Sequence, residues 1–188
     1  MMKPAMPVSL MKLLAIPLGC QRTSTKWLVI SPALSRKRGE GDKVSLREFH
    51  VNQLQPHNPT REAVQRLLQA AARNIADARV EKISGENRFD AAYKAIMQCA
   101  MVALWANRYR TSTSQPGHHQ TAIQTLTKTI GLEHGIVIVL DALRKQRNVS
   151  DYEGDPISDQ AVIECIKQPE QLYKVVNSWI TTNRPDLT

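Results

Sequence analysis

From Asn58 to Arg184 apolar residues recur at helical spacing, and Pro, Gly and Ser/Thr punctuation divides them into separate helices. Asn58-Pro59-Thr60 is a start signal, and Val64, Leu67, Leu68, Ala71, Ile75 and Ala78 predict a first helix to about Arg79. Ser84 to Asn87 offers the next cap. Phe89, Tyr93, Ile96, Met97, Ala100 and Leu104 then form the stripe of a second helix ending near Arg110, whose Ala-rich opposite face permits close helix contact. A turn-rich loop, Thr111 to Gly117, leads to a third helix from His118 to Ile130, with Ala122, Ile123 and Leu126 inward and Gly131 as its stop.

The fourth helix is expected from Glu133 to about Val149. Its Val137 to Leu143 section is apolar on nearly all sides, which predicts a central, buried helix; its β-branched residues keep a strand as the alternative. After a loop from Asp151 to Ile157, Ser158 caps a fifth helix with Ala161, Val162, Cys165 and Ile166 inward. Pro169 should kink or break it, and Leu172, Tyr173, Val176, Trp179 and Ile180 line a continuation over Glu170 to Thr182, ended by Arg184-Pro185. No βαβ alternation, Gly-rich phosphate loop or internal repeat interrupts the pattern. The expectation is an all-α, up-and-down bundle of about five helices, the last kinked or broken at Pro169.

Residues 1–43 break this periodicity. They contain Pro4, Pro7, Pro17 and Pro32 and a basic run from Ser35 to Arg38, and predict a loosely structured extension with at most a short strand at Trp27 to Ile30. The chain divides accordingly into this extension, a helical domain over 44–184 and a tail over 185–188. The apolar Leu13 to Gly19 run is short for a secretory signal and Pro17 fits that pattern poorly. A phosphate-binding basic arm is a second account. A third makes Val44 the natural start: Glu40-Gly41 can be encoded by a purine-rich, ribosome-binding-like stretch and Val44 by GTG.

With 188 residues, 42% of them hydrophobic, the chain can bury a core of ordinary size. No apolar run reaches the roughly 18 residues that span a membrane. Cys20, Cys99 and Cys165 are odd in number and lack metal-type spacing, which argues against a disulfide framework or zinc site and for a reducing cytoplasm. The net charge of +8 invites a nucleic-acid reading, but residues 1–43 hold eight Lys/Arg against two acids and so carry +6 of it. The helical part, with 17 basic against 15 acidic residues, is close to neutral.

Candidate chemistry concentrates between Arg144 and Asp155, where Arg144, Lys145 and Arg147 follow the apolar section and Asp151, Glu153 and Asp155 follow them. Cations there also compensate a helix dipole, and the acids can pair with the arginines or repel a phosphate. In His118-His119 the neighbours do not share a helix face, so a shared metal ion is not expected, and capping and packing compete with acid–base chemistry. Met97, Met101, Trp105 and Trp179 read as core or dimer contact rather than a cofactor box. No metal and no cofactor is implied.

Arg147-Asn148, four intervening residues and then Tyr152 resembles the signature of the HEPN family, an Arg with a polar neighbour followed a few positions later by a His. Tyr152 stands where that His would be. The resemblance extends through Ser45-Leu-Arg-Glu-Phe49, Arg88-Phe89-Asp90-Ala91-Ala92-Tyr93, Asn107-Arg108-Tyr109-Arg110 and His118-His119, over about residues 44–184, and is greatest to a HEPN subgroup often labelled simply DNA-binding protein.

The resemblance implies a small helical bundle, commonly a homodimer, in which two copies of the Arg motif face each other in a cleft and RNA is cut without metal. Arg147 would then hold the scissile phosphate, Asn148 orient the 2′-hydroxyl, and Arg144, His118 and His119 assist nucleic-acid binding. A tyrosine is a poor base at neutral pH, so Tyr152 fits better as a proton donor, phosphate ligand or stacking ring, and a rim residue packed over the helix end is its structural alternative. The implied setting is a toxin–antitoxin or defence system, with an antitoxin or nucleotidyltransferase-like protein as a further partner. Non-catalytic RNA or DNA binding, favoured by the absent His, and a protein-interaction scaffold, favoured by the near-neutral body, remain the competing functions.

Overall fold

The computed structural model describes residues 53–112, 116–153 and 155–188. The basic extension, the Trp27 to Ile30 strand, the Val44 start and the Ser45 to Phe49 segment lie outside the described residues, as does the centre of the Thr111 to Gly117 loop. The described part is an all-α bundle with one small sheet: β1 (Leu54–Pro56), α1 (Arg61–Ala78), α2 (Gly85–Ala106), β2 (Tyr109–Thr111), α3 (His118–Gln124), α4 (Leu126–Thr129), α5 (His134–Glu153), α6 (Asp159–Asn183) and a 3-10 turn at Pro185–Leu187.

Three helices begin where the polar caps predicted. Thr60, Ser84 and Ser158 sit in extended backbone, and their hydroxyls accept from the amides of Ala63 (3.2 Å), Asn87 (3.3 Å) and Ala161 (3.3 Å). On α1, Val64, Leu68, Ala71 and Ala78 are buried, with Leu67 and Ile75 partly covered against the core.

The central helix is α2, not α5. Thirteen of its 22 residues are buried, the whole predicted stripe among them, and the alanines at 92, 95, 103 and 106 let its other faces pack closely too. It packs most extensively on α1 and α6. On α5, by contrast, Val137, Leu140 and Leu143 are buried while Ile138 is 58% exposed. Apolar composition gave α5 the capacity for burial on all sides, but its outer side meets no other described element.

Several boundaries differ from expectation for local reasons. α2 stops at Ala106 rather than near Arg110, because Asn107 Nδ2 donates to the carbonyls of Ala103 (2.8 Å) and Thr129 (3.2 Å) and Arg108 turns out of the helix at φ 67°. That left-handed step releases Tyr109–Thr111 to pair antiparallel with Leu54–Pro56, Gln55 opposite Arg110, a sheet too short for periodicity to reveal. The expected third helix is divided at Thr125 into α3 and α4. Buried Thr121, Thr125 and Thr129 each donate a hydroxyl hydrogen bond to a carbonyl three or four residues earlier, a competition that weakens helix continuity. Gly131 at φ 70°, with the Leu132 amide donating to Leu126 O at 3.2 Å, closes the segment as predicted.

α5 runs on to Glu153, so Arg147 and Asn148 lie within a helix and the first residues of the expected loop are its last turn. Pro169 neither divides α6 nor ends it: the helix is continuous from Asp159 to Asn183. Proline forfeits a helical N–H bond, but Pro169 is itself buried between Cys165 and Leu172, and packing on both sides of it offsets the loss. Cys99 and Cys165 are free thiols in the core, burial pushing each up to about 12. Among the described residues, no helix is long and apolar enough to cross a membrane.

Candidate functional site

A cleft of about 510 Å³ runs along the exposed edge of α2. α2 contributes Asp90, Tyr93, Lys94, Met97, Gln98 and Met101; α1 adds Asn74, α3 adds His119 and α5 adds Arg147. Helical spacing explains the first set. Asp90, Tyr93, Met97 and Met101 are three or four residues apart and so share one side of the helix.

Arg147 is held on three sides. Its Nε donates to Asp90 Oδ1 at 3.1 Å, its Nη1 pairs with Asp151 Oδ2 at 2.9 Å, and its guanidinium carbon lies 5.3 Å from the centre of the Tyr93 ring. The side chain is still 30% exposed and lines the cleft. The acids that follow it in sequence thus act in part as a brace, through Asp151 one helical turn on.

Tyr93 is buried, and its hydroxyl stands 3.3 Å from His119 Nδ1. Burial raises the Tyr93 phenol to about 12, although the nearby Arg147 and Arg144 charges oppose the rise, so it stays protonated at neutral pH. His119 is pushed the other way. Burial lowers its pKa, and His118, Arg147 and Arg144 lower it further, which keeps the imidazole neutral. The result is a fixed cation beside a neutral imidazole, linked through a phenol.

The remaining predicted residues fall around this centre rather than in it. Arg144 is spent on Asp141, its Nε donating to Oδ1 at 2.8 Å, and Lys145 takes the other oxygen at 3.2 Å. Burial alone would raise the Asp141 carboxyl, but the hydrogen bonds and charges of Arg144 and Lys145 together hold it below its ordinary value. His118 packs edge-on against His119 with ring centres 4.4 Å apart, a supporting place. Asn148 is half-buried on α5 and Tyr152, 86% exposed, does not line the cleft.

No protein-family model matches the chain, and no curated protein matches it. The cleft must therefore be read from its own chemistry. Arg147 and His119, predicted from separate motifs, are brought together; Asp90, Tyr93, Lys94, Asn74 and Gln98 were not singled out as site residues. Asp90 and Tyr93 lay in a segment already notable in the sequence, three residues apart, yet only the packing of α5 across α2 shows that they meet Arg147. Among the described residues, no group of three His, Cys, Asp or Glu side chains is placed to hold a metal ion.

Proposed function

We propose that this protein is a HEPN-like RNA-binding protein whose cleft receives a phosphate of single-stranded RNA at Arg147 and cleaves the chain there. The observation that carries the reading is the braced Arg147 guanidinium beside Tyr93 and a neutral His119. A guanidinium fixed before the substrate arrives stabilises developing charge on a phosphate without reorganising. A neutral imidazole accepts a proton from a 2′-hydroxyl; in the tautomer whose Nδ1–H is donated to the Tyr93 oxygen, Nε2 is the accepting atom. Attack of the 2′-oxygen on phosphorus then forms a 2′,3′-cyclic phosphate and expels the 5′-oxygen, which takes a proton from water. On this geometry His119 takes the proton-transfer role first sought at Tyr152.

The resemblance adds a homodimer, in a toxin–antitoxin or defence setting in the cytoplasm, with an antitoxin or nucleotidyltransferase-like partner. The test is cleavage of single-stranded RNA by the full chain in the presence of chelator. Arg147→Ala and His119→Ala should each abolish it while keeping the wild-type melt. Cleavage that survives Arg147→Ala sinks the reading.

One observation favours a second reading, RNA or DNA binding without cleavage. Two carboxylates already neutralise Arg147, which lowers the potential a phosphate would feel. It predicts binding that weakens steeply with salt and yields no products.

A further inference from the structure

Beyond Arg147, the floor of the cleft is built from two amides whose orientation is fixed by what surrounds them. Asn74 Nδ2 lies 3.0 Å from the Ala70 carbonyl oxygen, which can only accept, so the nitrogen of that amide must face it. The same nitrogen lies 2.8 Å from Gln98 Oε1. Gln98 therefore presents its oxygen to Asn74 and keeps its Nε2 hydrogens for something else.

Neither Gln98 Nε2 nor Asn74 Oδ1 has a partner among the described residues, and neither is sealed from solvent, since His57 Nε2 is the one enclosed and unpartnered side-chain atom found there. Gln98 is only 8% exposed, so its open donor faces the cleft rather than bulk water. Two amides bonded to each other thus leave one donor and one acceptor open on a partly buried floor.

The surroundings suit one kind of occupant. A second cavity of about 330 Å³ adjoins the first and shares Asn74, Lys94 and Gln98 with it, adding Arg73. From Asp90 to Met101 the cleft follows about 16 Å of α2. Cations therefore line the path to the amide pair: Lys94, one helical turn before Gln98, lies between it and the Asp90 end where Arg147 is bound, and Arg73 lines the second cavity beside Asn74, while Met97 and Met101 offer an apolar wall for a flat ring. Asp77 and Asp90 are the acids on the same path, Asp90 engaged by Arg147.

We infer that the Asn74–Gln98 pair reads the polar edge of one nucleobase of a single-stranded RNA, with Lys94 and Arg147 taking successive phosphates along the cleft that leads away from it. The inference rests on the RNA reading of the cleft and gives it a specificity determinant. A glutamine or asparagine amide recognises a base edge because its donor and acceptor match an adjacent acceptor and donor. Phosphate contacts alone would position the strand without distinguishing its bases.

The test is fluorescence anisotropy of the full chain, at one salt concentration, with labelled oligo(A), oligo(C) and oligo(U) and an abasic ribose-phosphate oligomer of equal length. One base series should bind about tenfold tighter than the abasic oligomer. Gln98→Glu keeps the shape and the bond from Asn74 but replaces the N–H donor by a carboxylate oxygen, and should collapse that ratio toward one. Equal binding of base-bearing and abasic oligomers by the wild type overturns the base reader and leaves the phosphate site standing. An unchanged ratio in a natively melting Gln98→Glu does the same. Failure of every oligomer to bind overturns the RNA reading itself.

Discussion

Asp90→Asn offers a sharp test of the cleft's electrostatics because it separates stability from binding. Asp90 and Arg147 are 49% and 30% exposed, so their 3.1 Å pair is a surface ion pair and its loss should cost only about 0.5 kcal/mol of stability. Asp151 and the Tyr93 ring remain to hold the guanidinium. Binding should move the other way. A phosphate bonded to Arg147 at about 2.8 Å, on the side of the guanidinium away from Asp90, would stand roughly 6 Å from that carboxylate. At that separation the repulsion is about 0.7 kcal/mol in a water-like medium and about 2.8 kcal/mol at an effective dielectric of about 20. For a half-exposed carboxylate the lower part of that range applies, and removing about 1 kcal/mol of repulsion tightens binding about fivefold. Anisotropy titrations of single-stranded RNA at low salt would show the gain, and near 1 M salt, where the screening length is about 3 Å, it should vanish. RNA affinity that is unchanged or weaker in a variant with a wild-type melt would refute a phosphate site at Arg147.

Further outcomes follow from the same contacts. Phe89→Ala, at a fully buried position of the central helix, should cost about 3–5 kcal/mol in denaturant unfolding, and a loss under about 1 kcal/mol would contradict the placement of α2. The folded-state pKa of His119 is lowered, so the unfolded chain binds its proton more readily and stability falls as pH drops below the ordinary histidine value of about 6.5. His119→Asn should flatten that fall in part, leaving the share of His57, whose pKa is also lowered, chiefly by burial; an unaltered pH profile would speak against the neutral imidazole. Tyr152→Ala, at an 86% exposed position, should change stability by less than about 0.5 kcal/mol and leave the RNA affinity of the monomer intact; a tenfold loss of affinity would return Tyr152 to the site.

Helix starts and core faces were legible because each depends on residues near in sequence. Thr60, Ser84 and Ser158 announced their helices by cap chemistry, and the stripe from Phe89 to Leu104 announced its burial by period. Interruptions decided over longer range were not legible. The Asn107 amide ends α2 partly by reaching Thr129, and Pro169 is tolerated because both sides of α6 find neighbours. The site followed the same rule. Arg147 and His119 drew attention as residue types, but Asp90 lies 57 positions from Arg147 and joins it only through the packing of α5 on α2. Asn74 and Gln98 gave no signal at all, since an amide on a helix reads as surface until its partners are known.

Bulk affinity alone would not isolate the cleft, because the basic segment over residues 1–43 carries +6 of the net +8 and can attract RNA by itself. The most direct measurement is therefore site-resolved: NMR spectra of the full chain, recording the Arg147 Nε–H and His119 ring signals, as a short single-stranded RNA is added. A saturable shift of both, in step with Tyr93 and absent in Arg147→Ala, is the predicted result. RNA that shifts signals elsewhere in the chain while Arg147 and His119 stay put would contradict the account.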